Sequence, residues 1–286
     1  MYEMKKPAWL NKKADLASRH YLKNLLRNLR LHTVCEESFC PNISECFSRK
    51  VATFMILGDS CTRQCSFCAI KKGKPSAPDK DEPKRIKEAV QRLRLNYVVI
   101  TSPTRDDLED GGASVFCETV KEIKSLSSSI NVELLIPDFN ENSQPLKEVV
   151  LCGADLIAHN LETVPRLYGK VRIGADYFRS LKILHKIKVI NPVSFTKSGL
   201  MLGLGETEEE LRGVLRDLRG VGCDSLTLGQ YLAPSQSHYE LKEYIKPEKF
   251  LYLQKFAYKL GFKVVKSGPY VRSSYLAHIS LSGHNS

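Results

Sequence analysis

From residue 53 onward, short apolar runs of strand length alternate with segments of helical period, and this alternation constrains the fold most. "TFMILG" (53–58), "NYVVITS" (96–102), "VELLIP" (132–137), "DLIAHN" (155–160), "PVSFTKSGLML" (192–202), "DSLTLGQ" (224–230) and "FKVVKSG" (262–268) read as strands. Between them, "PKRIKEAVQRLR" sets Ile86, Ala89, Val90 and Leu93 on one helical face, with Pro83 suited to a first helical position. "SVFCETVKEIKSL", a segment near 143–152, "ADYFRSLKILHKI", "TEEELRGVLRDLRG" and "PEKFLYLQKFAYKLG" also read as helices. Thr207 and Glu210 have capping-box spacing, and Gly220 is placed to end that helix. Six or seven β-α units imply parallel strands with crossover helices: an α/β chain forming a complete or partial barrel. A doubly wound open sheet is the alternative.

The 286 residues, 42% hydrophobic, suffice for one large core or two modest domains. No apolar run reaches the ~18 residues of a membrane span. The opening "MYEMKKPAWLNKK" lacks the apolar stretch of a secretory signal, and Glu3 and Asp15 argue against an acid-poor transit peptide. A cytoplasmic chain with reduced thiols is expected. The net charge of +11 favours acidic partners, either nucleic acid or an acidic protein. The longest basic cluster, "KKGKP" (71–75), has no aromatic RNA-binding signature beside it. "LASRHYLKNLLRNLRLH" (16–32) reads as a basic helix that packs a leucine stripe; a membrane-surface role is the alternative.

Six of the nine cysteines fall in two triplets, Cys35, Cys40, Cys46 and Cys61, Cys65, Cys68. Structural zinc sites usually take four Cys or His ligands; His32 could complete the first triplet, and the six thiols together would suit a binuclear site. Iron–sulfur clusters normally take four thiolates, so three would leave one iron open to a substrate or a weaker ligand. "CTRQCSFC" (61–68) directly follows the first barrel strand, on the side where parallel barrels carry their sites. Cys117, Cys152 and Cys223 have no partner spacing and read as small buried hydrophobes. There is no G-x-S-x-G, no P-loop and no histidine motif.

The 61/65/68 spacing, with Phe67 in the aromatic position, resembles the C-x3-C-x-aromatic-C motif of radical S-adenosylmethionine enzymes. With the upstream triplet, "KPAWL", "TSPTRDDLEDGGAS", "HNLETVPRLY", "TKSGLMLGLGET", "LTLGQYLAPS" and "SGPYVRSSY", the chain resembles lipoyl synthases over nearly its whole length. Pro103 and Thr104 stand where such relatives often read Val-Asp, and Phe47 where Trp is common. Neither change touches a metal ligand.

This resemblance implies two [4Fe–4S] clusters and S-adenosyl-L-methionine. Cys61, Cys65 and Cys68 would hold the cluster whose open iron is chelated by the amino and carboxylate groups of S-adenosylmethionine. Cys35, Cys40 and Cys46 would hold an auxiliary cluster, with Ser274 as a weak fourth ligand and Ser273 as the alternative. "GLMLGLGE" (199–206) is similar to a G-x-I-x-G-x-x-E pattern, with Met201 in the Ile slot, and puts Gly203 and Glu206 near the adenine. The usual Gly-Gly-Glu segment is absent, so Thr101 or Asp106 would take over part of ligand binding; Asn160, Glu162, Arg172 and Lys197 fall in matching segments.

The family's reaction puts two sulfur atoms, drawn from the auxiliary cluster, at C6 and C8 of an octanoyl chain amide-linked to a carrier lysine. It consumes two S-adenosylmethionines. Those carbons have no acidic proton, so the 5′-deoxyadenosyl radical must start the chemistry. The implied partners are octanoylated lipoyl carrier domains (2-oxoacid dehydrogenase E2 subunits, glycine cleavage H protein), a ferredoxin- or flavodoxin-type reductant and an iron–sulfur cluster carrier. Neither nucleic acid nor membrane is among them. The implied architecture is a partial (β/α)6-type TIM barrel at 51–268, an N-terminal extension at 1–50 carrying the auxiliary cysteines, and a tail at 269–286. Two other readings differ: a biotin synthase-like enzyme would share only the 61/65/68 motif, and a zinc-dependent nucleic-acid-binding protein would be colourless.

Overall fold

The computed structural model describes residues 5–11, 23–37, 40, 42–48 and 53–275. Its strands are β1 (His32–Thr33), β2 (Thr53–Met55), β3 (Ser60–Cys61), β4 (Lys71–Lys72), β5 (Tyr97–Thr101), β6 (Asn131–Leu135), β7 (Leu156–Ala158), β8 (Phe195–Leu202), β9 (Ser225–Gln230) and β10 (Val264–Gly268). Eight of them form one sheet in the order β1-β2-β5-β6-β7-β8-β9-β10. From β2 to β10 every pairing in that sheet is parallel, and β1 lies antiparallel on the β2 edge. The sheet thus holds the six strands of the expected barrel and adds β10 as a seventh parallel strand.

Helices Glu82–Leu93, Ala113–Lys124, Ser143–Leu151, Tyr177–Ile190, Glu208–Gly220 and Pro247–Lys259 fill the crossovers, as the apolar periodicity predicts. Ile86, Ala89 and Val90 are buried, while Leu93 at the end of the same stripe is half-buried. All five residues of β5 and all six of β9 are buried. Parallel strands covered on both faces lose the polar alternation of an exposed sheet. The pleat still sorts them: Val98 and Ile100 join the main core, whereas Tyr97 and Val99 form a separate cluster on the opposite face.

The Glu208–Gly220 helix begins with the predicted Thr207–Glu210 capping box. Its end differs from expectation. Gly220 stays within the helix, and Gly222, at φ +84°, takes the left-handed conformation that needs no Cβ. Residues 16–22 of the expected basic helix lie outside the described residues, and 23–28 are helical. Leu25, Leu26, Leu29, Leu31, Cys35 and Ile43 share one core with the barrel.

Candidate active site

The loop bearing Cys65 and Cys68 is closed at its base by the β3–β4 ladder, in which Ser60 pairs with Lys71 and Cys61 with Lys72. This ladder is too short to read from the sequence. Backbone bonds fix the loop to three others: Thr62 N–H to Thr104 O (3.1 Å), Ser66 N–H to Val171 O (3.0 Å), and Tyr239 N–H to Ser66 O (2.9 Å). Arg63 adds a buried side-chain clamp, donating to Asp138, Asp106 and Asn140.

The thiols suit a cluster. All nine cysteines are free. Cys61 Sγ accepts N–H bonds from Arg63 (3.4 Å) and Thr104 (3.3 Å). Burial pushes the Cys68 thiol up to about 12 and raises Cys65, which the Arg172 guanidinium partly offsets. Burial likewise raises Cys35, with further increments from Cys40 and Cys46. Each triplet is therefore close enough for its sulfurs to sense one another. Among the described residues no three His, Cys, Asp or Glu side chains close on a single ion.

A cavity of about 480 Å³ opens at the C-terminal ends of the strands, walled by Met55, Thr101, Leu135, Met201 and Gln230. Cys61, Cys65, Phe67 and Cys68 line it, and so do Cys40 from the upstream triplet and Ser273 from the C-terminal segment. The 61/65/68 motif, Cys40 of the upstream motif and Ser273 of the tail, some two hundred residues further on, thus meet at one barrel mouth. The tail also touches the upstream segment directly: Asn42 Nδ2 donates to Tyr270 O (2.6 Å), and Tyr275 hydroxyl to Glu45 Oε1 (2.9 Å).

Asn160, Glu162 and Arg172 line the same cavity. Glu162 has φ +65°, and its backbone bridges to β8: its N–H donates to Gly199 O (2.9 Å), and Met201 N–H donates to its carbonyl (2.8 Å). A non-glycine residue held left-handed stores strain, which tends to collect at functional sites. Burial raises the Glu162 carboxyl, while Arg172 and the Asn160 amide counteract it. Asn160 Nδ2 donates to Glu162 Oε1 (2.9 Å) and to Ser273 Oγ (3.2 Å), while its buried Oδ1 meets no partner. Arg172 donates to Tyr168 hydroxyl (3.0 Å) and Ser180 Oγ (2.8 Å).

Other candidates are placed differently. Thr101 lines the cavity, but its hydroxyl donates to Leu135 O (2.9 Å). Asp106 accepts from Arg63, Thr62 and Asn140, so its oxygens are committed to the loop clamp. Lys197 is wholly buried in an ion pair with Glu133 and donates to Ser273 O (2.8 Å), outside the cavity wall. Glu206 accepts from the N–H groups of Gly203 (2.6 Å) and Leu204 (2.8 Å); neither Gly203 nor Glu206 reaches the wall. Ser274 is half-buried, and the wall residue is Ser273. Cys35 and Cys46 are not among the residues that wall the cavity.

Three features escaped the sequence reading. Arg63 and Asp138 belong to different β-α units, so no local spacing links them. His159 is buried below Arg172, its Nε2 lying 3.5 Å from Arg172 Nη2. Cys117 and Cys152, read as unpartnered, adjoin across two helices, where each thiol shifts the other's titration.

Residues 55–218 match the radical SAM superfamily. The lipoyl synthase of Caldicellulosiruptor saccharolyticus is 55% identical over 279 residues, covering 97% of this chain and 98% of the relative. That of Geobacter metallireducens is 55% identical over 274 residues, covering 96% of each. Among solved structures, methylornithine synthase superposes with TM-score 0.57 at 15% identity, covering 89% of this chain and 79% of that one. The hydrogenase maturase HydG gives 0.59 at 13% identity, covering 88% and 68%. These distant structures speak to the fold, and the close relatives carry the finer conclusion: the chain belongs to the lipoyl synthase family of the radical SAM superfamily.

Proposed function

We propose that this protein converts octanoyl-lysine on a carrier domain to lipoyl-lysine, with Cys61, Cys65 and Cys68 holding one [4Fe–4S] cluster and Cys35, Cys40 and Cys46 the other. One observation carries the reading: Cys40, the 61/65/68 cysteines and Ser273 open onto a single cavity at the barrel mouth. When bound, S-adenosylmethionine and its cluster supply a carbon-centred radical for unactivated C–H bonds, and the auxiliary cluster supplies sulfide.

The chain's own part is binding and exclusion of water. Met55, Leu135, Met201 and Leu232 give the cavity apolar walls for an alkyl chain. Glu162 and Asn160 Oδ1 offer acceptors for the ammonium of S-adenosylmethionine, and Arg172 a cation for its carboxylate, with Phe67 beside the cluster loop. The fourth auxiliary ligand is Ser274, or Ser273 if the tail keeps the register seen here. The N-terminal extension (1–50) and the tail (269–286) would serve the auxiliary cluster, and 51–268 the radical chemistry.

The reductant would be a ferredoxin or flavodoxin, with a separate carrier renewing the consumed cluster. Among the described residues no helix is long and apolar enough to cross a membrane, and a cytoplasmic location fits the free thiols. The test is anaerobic purification with iron, sulfide and zinc analysis. A brown protein with about eight irons per chain supports the reading. A colourless protein holding zinc would end it.

A further inference from the structure

Residues 270–275 belong to no helix or strand, yet they are held at six points. Val271 N–H donates to Gly268 O (3.0 Å), and Lys266 Nζ to Tyr275 O (3.5 Å). Asn160 reaches Ser273 Oγ, Lys197 reaches Ser273 O, and Asn42 and Glu45 hold Tyr270 and Tyr275. The middle of this strap is thus fixed inside the barrel at Ser273, and both of its ends, Tyr270 and Tyr275, on the segment that carries Cys40 and Cys46.

Two features of the barrel exist to receive it. The first is room: Gly229 and Gly268 pair side by side on β9 and β10, and a Cβ at Gly229 would stand 2.0 Å from Val271 O and 3.0 Å from Val271 C. Both neighbours are backbone, so any side chain there must move the strap. The second is charge. Lys197 and Glu133 form an ion pair with almost no solvent contact, and Glu133 Oε2 also accepts from Tyr97 hydroxyl (2.7 Å). A buried ammonium needs an acceptor for each N–H it can satisfy, and Ser273 O at 2.8 Å is the one the strap provides. Lys197 therefore gains by keeping the strap seated.

We infer that Gly229 and Lys197 are positioning residues that seat the 270–275 strap, and through it the serine end of the auxiliary site, over the radical-generating cavity. This rests on the auxiliary-cluster reading above. It assigns Lys197 to the strap rather than to S-adenosylmethionine.

The test compares wild type, Gly229→Ala, the control Gly213→Ala (whose new Cβ meets nothing within 4 Å) and the double variant Lys197→Met/Glu133→Leu. The double variant removes the buried pair without stranding either charge. Amide exchange at Val271 and Tyr275 is measured first, on protein without added cofactor, followed by 5′-deoxyadenosine and lipoyl product from the reconstituted enzyme. Loss of the seat should speed exchange by about tenfold or more in Gly229→Ala and in the double variant. Gly229→Ala should still release 5′-deoxyadenosine while its lipoyl product falls at least about tenfold, with Gly213→Ala like wild type. Unchanged exchange in both strap variants overturns the inference, and so does faster exchange with product retained. If Gly229→Ala does not fold, exchange in the double variant decides by the same criterion. A wild type without a second cluster or lipoyl product would instead overturn the functional reading, and exchange would still report on the strap.

Discussion

Arg63 and Asp138 meet as a forked pair, Nη1 to Oδ2 at 2.8 Å and Nη2 to Oδ1 at 2.6 Å, with Asp138 fully buried. Arg63 sits between Cys61 and Cys65, so the pair ties the cluster loop to the loop after β6. Hydrogen bonds from Arg63 hold the Asp138 carboxyl well below the usual range, against its burial. Arg63→Met takes two hydrogen bonds from that carboxylate, leaving it Arg179 (Nε to Oδ2, 2.8 Å) and the Asn140 N–H, and should cost about 2–3 kcal/mol in urea unfolding. Arg63→Met with Asp138→Leu also deprives Arg179 and should regain only part of that stability, and it should load less iron at the 61/65/68 site, because the loop loses its clamp. Full iron loading in the double variant would reduce the pair to a stability element.

A second prediction concerns pH. His159 Nδ1 donates to Ile136 O (2.9 Å), and burial, aided by the Arg172 guanidinium, pushes its pKa down from 6.5 to about 4. The unfolded chain then binds a proton that the folded chain refuses. Stability from this group is complete above about pH 6.5 and is lost as pH falls towards 4, a difference of about 3 kcal/mol at most. His159→Gln should flatten the urea midpoint over that window. An unaltered slope would place the pH dependence elsewhere.

Most of the fold was legible because each β-α unit writes its own period: β5 and β9 as apolar runs, Glu82–Leu93 and Glu208–Gly220 as stripes. The two-residue strands β1, β3 and β4 were not, since such short elements have no period and exist through their partners. The cysteine spacing pointed to cluster chemistry, and the meeting of Cys40 and Ser273 with Cys61 required the tertiary structure. Lys197 looked like a ligand-binding cation on a strand, but its partner Glu133 lies two strands away and cannot be paired by spacing.

The two triplets should separate by variant. Cys68→Ala removes a cavity-lining thiol of the radical site, and 5′-deoxyadenosine should fall to background while iron bound by the upstream triplet remains. Cys40→Ala should still release 5′-deoxyadenosine but give no lipoyl product. Normal sulfur insertion in Cys40→Ala would make the upstream triplet structural.

Lys71 and Lys72 are exposed on β4, and Lys72 lines the cavity mouth. With the net charge of +11, they should speed encounter with an acidic carrier domain. Apparent affinity for octanoylated carrier should fall with salt more steeply than affinity for an octanoyl-lysine peptide, as the screening length shrinks to ~3 Å near 1 M. Lys71→Gln/Lys72→Gln should narrow that gap. Equal salt slopes for carrier and peptide in wild type would confine recognition to the octanoyl-lysine arm.

The central claim is that one barrel mouth joins radical generation to sulfur delivery from the chain's own auxiliary cluster. Its most direct test is mass spectrometry of an octanoyl-lysine peptide after anaerobic reaction with protein whose clusters were rebuilt with ³⁴S-sulfide, with no free sulfide present. The account predicts a lipoyl-lysine product carrying two ³⁴S atoms, and loss of both in Cys40→Ala. Product bearing unlabelled sulfur, or labelled product made normally by Cys40→Ala, would contradict it.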